Sequence, residues 1–112
     1  LERYATLADE ARDNLVPEDR PLAAISVGDG LHPATLRGAD PFDRILLNGT
    51  VPAIPEHLEA LLGPGGRLVA PVGRPEAAGL VTWTRRPDGT LDVRPGAALR
   101  VAPLTPGRAR VL

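Results

Sequence analysis

The feature that most constrains this chain is the stretch of residues 40–73, where the spacing of the apolar residues changes twice. Residues 42–47 form a short apolar run with a β-branched residue, which is typical of a buried strand. In residues 55–62 the leucines recur three and four positions apart, as on one face of a helix that begins with proline. Residues 63–66, Gly-Pro-Gly-Gly, predict a turn, and residues 67–72 predict a second strand. This order predicts a βαβ unit with parallel strands.

The rest of the chain predicts a sheet that changes from parallel to antiparallel after Gly73. Pro87-Asp88-Gly89 is a turn sequence of the hairpin kind, and antiparallel neighbours need only such a short connection. We therefore expect an α/β fold with a parallel front part and antiparallel C-terminal strands. The further predicted elements are an amphipathic helix at residues 4–15 and strands at residues 22–27, 79–84, 91–93 and 99–104.

Composition excludes several classes of function. The 112 residues suffice for at most one domain, and a net charge of −1 gives no electrostatic footprint for nucleic acid or an acidic membrane. No apolar run has the length of a membrane span, and the absence of cysteine agrees with a reducing cytoplasm. The chain contains no methionine and begins directly in a helical pattern, so we expect it to be a fragment of a longer protein.

One acidic residue stands where a strand would end before the first helix, and another follows the predicted strand of residues 22–27. Ligands of open α/β sheets bind beyond the carboxyl ends of the strands, and an acidic residue there can accept both hydroxyls of a ribose. Glu2 suits that role, although the helix dipole also favours a glutamate at this position for structural reasons. Asp29, between Gly28 and Gly30, could accept from an amino group of a flat ring, or could simply form a turn.

Other residues predict no further chemistry. Neither His32 nor His57 has a second ligand at metal spacing, so we expect no metal site. The glycines of residues 63–66 follow a helix and precede a strand, which is the reverse of a phosphate loop. We interpret Trp83 as strand packing rather than ligand stacking.

Taken together, four motifs resemble a specific family. They are VGDG at residues 27–30, PFDRI at residues 41–45, GGRLVAPVG at residues 65–73 and PLT at residues 103–105. The chain resembles the C-terminal half of the protein-L-isoaspartate O-methyltransferases, which would make residues 1–112 the C-terminal part of a single Rossmann-like methyltransferase domain.

The resemblance implies a cofactor, a substrate and site residues. The cofactor would be S-adenosylmethionine, and the substrate would be the α-carboxylate of L-isoaspartyl residues in a protein or peptide. The residues that match the family's cofactor-binding positions are Glu2 and Arg3 on the ribose side, Asp29 and Gly30 on the adenine side, and Thr105 near the cofactor. The catalytic residue stays unknown, because the family's active-site hydroxyl residue and its glycine-rich cofactor loop would lie upstream of Leu1.

The chain also departs from the family pattern. Asn48-Gly49-Thr50 replaces the family's usual loop, which leaves open an alternative acceptor, the aspartate of a ribosomally made peptide. Without the first strands of the sheet, residues 42–47 would expose an apolar edge, so we expect the isolated chain to be neither stable nor catalytic. A non-catalytic subunit or interaction module, completed by a separate N-terminal half, is the second alternative.

Overall fold

The computed structural model describes residues 1–109. The chain divides into two compact units, one formed by residues 1–37 with the C-terminal residues from Pro106 onward, the other by Gly38–Thr105. The first unit contains helix α1 and two short 3₁₀ turns. The elements are α1 (Ala5–Asp13), the 3₁₀ turns Arg20–Leu22 and Pro33–Leu36, β1 (Phe42–Leu46), α2 (Glu56–Ala60), β2 (Leu62–Arg74), β3 (Ala77–Arg85) and β4 (Leu91–Leu99).

The second unit is built on a four-stranded sheet with the order β1-β2-β3-β4. β1 pairs with β2 in parallel, and β2, β3 and β4 pair antiparallel in succession. The prediction of a parallel front followed by an antiparallel back is therefore confirmed. β1 lies at one edge, and its Leu46 is 72% exposed, as the predicted apolar edge requires.

The predicted turn at residues 63–66 is wrong, because these residues belong to β2. Phe42 pairs with Leu62, whereas Arg44 pairs with Arg67. Between these two pairs β1 advances by two residues and β2 by five, so the register shifts and β2 bulges. The Phe42 N–H donates to the Leu61 carbonyl at 2.7 Å, and this contact begins the strand pairing immediately after α2. The glycine-rich segment is thus a bulge inside a strand, where glycine tolerates the irregular backbone.

The core of this unit lies along β2. Leu68 and Ala70 are fully buried, and Trp83 of β3 is paired with Leu68 and only 9% exposed. Leu58 of α2 is buried as well. The interpretation of Trp83 as strand packing is confirmed, and the alternation of buried residues along β2 shows that one face of the sheet is covered.

A tight turn joins β3 to β4 at the predicted position. Gly89 has a φ of 86°, and its neighbour Asp88 accepts from both the backbone and the hydroxyl of Thr90. The hydroxyl of Thr90 is the main cause that lowers the pKa of Asp88. Burial acts to raise the pKa of Asp92 at the start of β4, but hydrogen bonds and charges from two arginines outweigh it and lower this pKa; these are Arg94 and Arg86.

Two predicted strands are absent from the described residues as regular elements. In place of a strand at residues 22–27, Arg20–Leu22 is a 3₁₀ turn, Leu22 is 84% exposed, and only Val27 pairs, through a single parallel bridge with Glu2. In place of a strand at residues 99–104, Leu99 ends β4 and only Pro103 forms a bridge. In both places the pairing partner supplies one residue, and a strand needs a ladder of partners to persist.

Within residues 1–109, no helix has the length and apolar character required to cross a membrane.

Candidate functional site

A single parallel bridge in the first unit brings two predicted site segments together. Glu2 is the bridging partner of Val27. Its N–H donates to the Ser26 carbonyl at 3.0 Å, and its carbonyl accepts from the Gly28 N–H at 2.9 Å. Because the two segments run in the same direction, the residues that follow them leave from the same edge. Glu2 and Asp29 therefore lie at neighbouring carboxyl ends, which is where open α/β folds bind ligands.

The Glu2 carboxylate has a structural contact and spare acceptor capacity. Its Oε1 accepts from the Tyr4 N–H at 2.8 Å, immediately before α1 begins at Ala5. The helix-dipole role considered from sequence is therefore wrong, because no acidic residue lies in the first turn of α1. Its other oxygen, Oε2, has no hydrogen bond within the part of the chain that the structure describes, and a carboxylate has about four acceptor positions in all. A pair of ribose hydroxyls could still be accepted here.

The Asp29 carboxylate is held from two sides. Oδ1 accepts from the Leu31 N–H at 2.9 Å, which is the turn contact expected of an aspartate followed by glycine. Oδ2 accepts from the Gly107 N–H at 2.7 Å. The two bonds fix the plane of the carboxylate and leave further lone pairs on both oxygens. Asp29 therefore forms a turn and retains the ability to accept from an amino group.

The glycines that flank Asp29 differ in their steric requirement. A Cβ added to Gly28 would lie 2.8 Å from the Thr35 Cγ2, so a side chain at this position would force a neighbour to move. A Cβ added to Gly30 would meet the Leu1 Cδ1 at 3.5 Å, an ordinary contact. The protein's own packing thus explains glycine at Gly28 but not at Gly30, where close approach of a ligand remains a prediction.

Arg3 also contacts Gly107, a residue that none of the sequence motifs includes. Its Nε donates to the Gly107 carbonyl at 3.0 Å, and its guanidinium carbon lies 5.1 Å from the centre of the Tyr4 ring. Only the Pro106-Gly107 dipeptide, a common turn sequence, could have drawn attention to this segment.

Thr105, the fifth predicted cofactor residue, is exposed and lies at the end of the second unit. Its assignment to the cofactor stays a prediction. The four residues of the first unit fit an adenosine group by their chemistry: Glu2 offers a carboxylate for a ribose and Asp29 a carboxylate for an amino group. Arg3 adds a cation, and Gly30 adds a half-buried backbone without a side chain.

The unusual loop after β1 is mainly structural. Thr50 is 2% exposed, and its hydroxyl donates to the Val101 carbonyl at 3.0 Å. Its N–H donates to the Ala102 carbonyl at 2.9 Å. Gly49 is buried, and a Cβ there would lie 2.6 Å from the Leu104 Cδ2. Of this loop only Asn48 is exposed, so Asn48 is the residue through which the loop could meet a substrate.

The histidines do not form a metal centre in the described structure. His32 caps the second 3₁₀ turn, where its Nδ1 accepts from the Ala34 N–H at 3.2 Å. His57 lies on α2. Within residues 1–109, no three or more histidine, aspartate or glutamate side chains are grouped so that they could hold a metal ion.

Comparison with known proteins gives a consistent result. The family profile for protein-L-isoaspartate(D-aspartate) O-methyltransferase matches residues 1–109. A protein-L-isoaspartate O-methyltransferase from Trichlorobacter lovleyi is 41% identical over 104 residues, which cover 93% of this chain and 47% of the relative. Protein-L-isoaspartate O-methyltransferase 2 from Rhodopseudomonas palustris strain HaA2 is 35% identical over 112 residues, which cover all of this chain and 51% of the relative. The chain thus spans about half the length of the curated relatives it matches.

The fold agrees with a solved structure. A crystal structure from Plasmodium falciparum, described as a protein-L-isoaspartate O-methyltransferase in complex with S-adenosyl-L-homocysteine, superimposes with a TM-score of 0.72. The match covers 93% of this chain and 50% of the other, at 19% sequence identity. At that identity the likeness establishes the fold alone. It confirms the predicted α/β architecture as part of a methyltransferase sheet.

Proposed function

This chain belongs to the protein-L-isoaspartate(D-aspartate) O-methyltransferase family, and from that premise we propose that it forms the adenosine-binding part of an S-adenosylmethionine-dependent carboxyl methyltransferase. The observation that supports this most is the parallel bridge between Glu2 and Val27, which places the Glu2 and Asp29 carboxylates at neighbouring carboxyl ends. Glu2 would accept from the ribose hydroxyls and Asp29 from the adenine amino group.

The proposed methyl acceptor is the α-carboxylate of an L-isoaspartyl residue in a protein or peptide. When bound, S-adenosylmethionine would supply an electrophilic methyl group for a carboxylate oxygen, with S-adenosylhomocysteine as the other product. The chain's own part in this step is orientation, since fixing the nucleoside half of a donor fixes the position of its reacting carbon. No described residue is proposed to act as acid or base.

The loop after β1 bears on the choice of acceptor. Gly49 and Thr50 are buried against residues 101–104, which leaves Asn48 as the exposed departure from the family pattern. The aspartate of a ribosomally made peptide is therefore the second acceptor to test. An exposed amide in a loop that contacts a substrate changes the set of hydrogen bonds offered to that substrate.

The test uses a full-length chimera in which this chain replaces the aligned segment of the Trichlorobacter lovleyi relative. Transfer of a labelled methyl group from S-adenosylmethionine is measured to an isoaspartyl peptide and to the matched peptide with normal aspartate. The unmodified relative serves as the positive control, and thermal unfolding verifies that the chimera is folded.

We expect transfer to the isoaspartyl peptide and little to the normal one. A folded chimera that prefers normal aspartate would favour the peptide-modifying alternative, and an Asn48→Ala variant would show whether the loop sets that preference. A folded chimera that neither binds S-adenosylhomocysteine nor transfers methyl groups would favour a non-catalytic interaction module.

A further inference from the structure

The C-terminal residues 106–109, which we call the C-terminal strap, contact two residues of the candidate site, Arg3 and Asp29. One residue makes the two central contacts. The Gly107 N–H donates to the Asp29 Oδ2 at 2.7 Å, and the Gly107 carbonyl accepts from the Arg3 Nε at 3.0 Å. Two residues on, the Ala109 N–H donates to the Arg3 carbonyl at 3.2 Å. The strap therefore ties together a carboxylate and a guanidinium that lie far apart in the sequence.

The conformation of Gly107 makes this double contact possible. Its φ is 87°, in the left-handed region that glycine adopts without steric cost. A Cβ placed on Gly107 would meet nothing within 4 Å, so space does not require glycine there. The requirement is conformational: the backbone must turn so that its N–H faces one side chain and its carbonyl another.

Gly107 supplies the contact that Asp29 cannot obtain from its own loop. The Leu31 N–H holds Oδ1, but one hydrogen bond leaves the carboxylate free to rotate about its last torsion, which has a broad energy well. The second hydrogen bond, to Oδ2, fixes the plane of the group. The remaining lone pairs then point in fixed directions, as a preorganised acceptor requires.

We propose that the C-terminal strap is a positioning element for the base of the cofactor. Gly107 locks the Asp29 carboxylate so that it accepts from the exocyclic amino group of adenine, and it holds Arg3 at the same time. This inference rests on the proposed function, because it concerns the same adenosine site. It goes further in assigning to Gly107, through its hydrogen bond to Asp29, control over which base is accepted.

The strap should therefore affect base discrimination more than overall binding. A carboxylate attracts the 6-amino group of adenine but repels the 6-oxo group of hypoxanthine, since both oxygens are acceptors. An Asp29 carboxylate of fixed orientation discriminates strongly between the two bases, and a rotating one discriminates less. Loss of the strap should weaken the binding of S-adenosylhomocysteine and leave the binding of S-inosylhomocysteine almost unchanged.

The experiment measures the affinities of both nucleosides by calorimetry on the full-length chimera. One variant ends after Pro106 and thus lacks Gly107 and Ala109; the matched control ends after Ala109 and keeps the described strap. Gly107→Ala is a second, milder variant, which disfavours the left-handed backbone without removing the segment. Thermal unfolding of each variant separates lost positioning from lost folding.

We expect the chain ending after Pro106 to bind S-adenosylhomocysteine about five- to tenfold more weakly, the usual effect of losing one hydrogen-bonded constraint. S-inosylhomocysteine should change by less than about twofold, and the control should match the intact chimera. Equal losses for both nucleosides, unchanged affinity or tighter binding would each overturn the positioning role. A folded, intact chimera that binds neither nucleoside would instead overturn the proposed function itself.

Discussion

Replacement of Gly66 by alanine should destabilise the sheet more than any other single methyl addition to β2. A Cβ on Gly66 would lie 2.7 Å from the Gly63 carbonyl oxygen, 2.9 Å from the Phe42 carbonyl oxygen and 3.1 Å from the Gly63 nitrogen. All three atoms belong to the backbone, so no flexible side chain can move aside. Overpacking usually costs about 1–3 kcal/mol, and we expect about 3 kcal/mol here because the strand pairing must shift.

This change is measured as the melting temperature of the full-length chimera. For a protein of about 200 residues, 1 kcal/mol corresponds to roughly 2–4 °C, so Gly66→Ala should lower the melting temperature by about 6–12 °C. The matched control is Gly79→Ala on β3, where a Cβ would meet nothing within 4 Å. This variant should lower the melting temperature by less than about 3 °C. Equal shifts for the two variants would show that the β2 bulge does not exclude a side chain at Gly66.

Three further outcomes are expected. Thr50→Val removes the hydroxyl that donates to the Val101 carbonyl and should cost about 1–3 kcal/mol in chimera unfolding, whereas Thr50→Ser should cost less. Because the folded-state pKa of Asp92 lies below its usual value of 3.8, its contribution is present above that pH and lost as the pH falls through the lowered pKa; Asp92→Asn should flatten the acid dependence of urea unfolding. In the isolated chain, Leu46→Lys should reduce light scattering, since it places a charge on the exposed β1 edge. An unchanged acid dependence or unchanged scattering would contradict the respective argument.

Elements that depend on local conformational preference and on a neighbour close in the chain could be predicted from the sequence. The strand β1 and the turn that contains Gly89 formed where the pattern placed them. The helix after Pro55 also formed, but it ends at Ala60 and Leu62 already belongs to β2. Each depends on local preference and on a neighbour close in the chain. The parallel and antiparallel parts of the sheet follow from the same short connections.

The errors arose where a segment depends on a distant partner. Residues 22–27 have the composition of a buried strand, but among residues 1–109 only Glu2 pairs with them, and Leu22 remains 84% exposed. Residues 63–66 have the composition of a turn, but they lie within β2. The pairing of β2 with β1 begins just before them, where the Phe42 N–H donates to the Leu61 carbonyl. The composition of a segment does not show which distant segment will pair with it in a sheet.

The candidate site could be predicted only in part for the same reason. Glu2 and Asp29 were identifiable because acidic residues at strand ends have a known use. Gly107 was not, because its contacts with Arg3 and Asp29 span most of the chain and depend on a left-handed backbone conformation. The assignment of Thr105 still rests on the family pattern.

Calorimetric titration of S-adenosylhomocysteine into the full-length chimera measures whether the two carboxylates hold the cofactor. We predict saturable binding at a one-to-one ratio. The Glu2→Gln and Asp29→Asn variants should each bind about tenfold more weakly, since each loses a hydrogen bond to a charged group. Full affinity in both variants, with unfolding temperatures unchanged, would contradict the account, because the cofactor would then be held without the two carboxylates that the parallel bridge brings together.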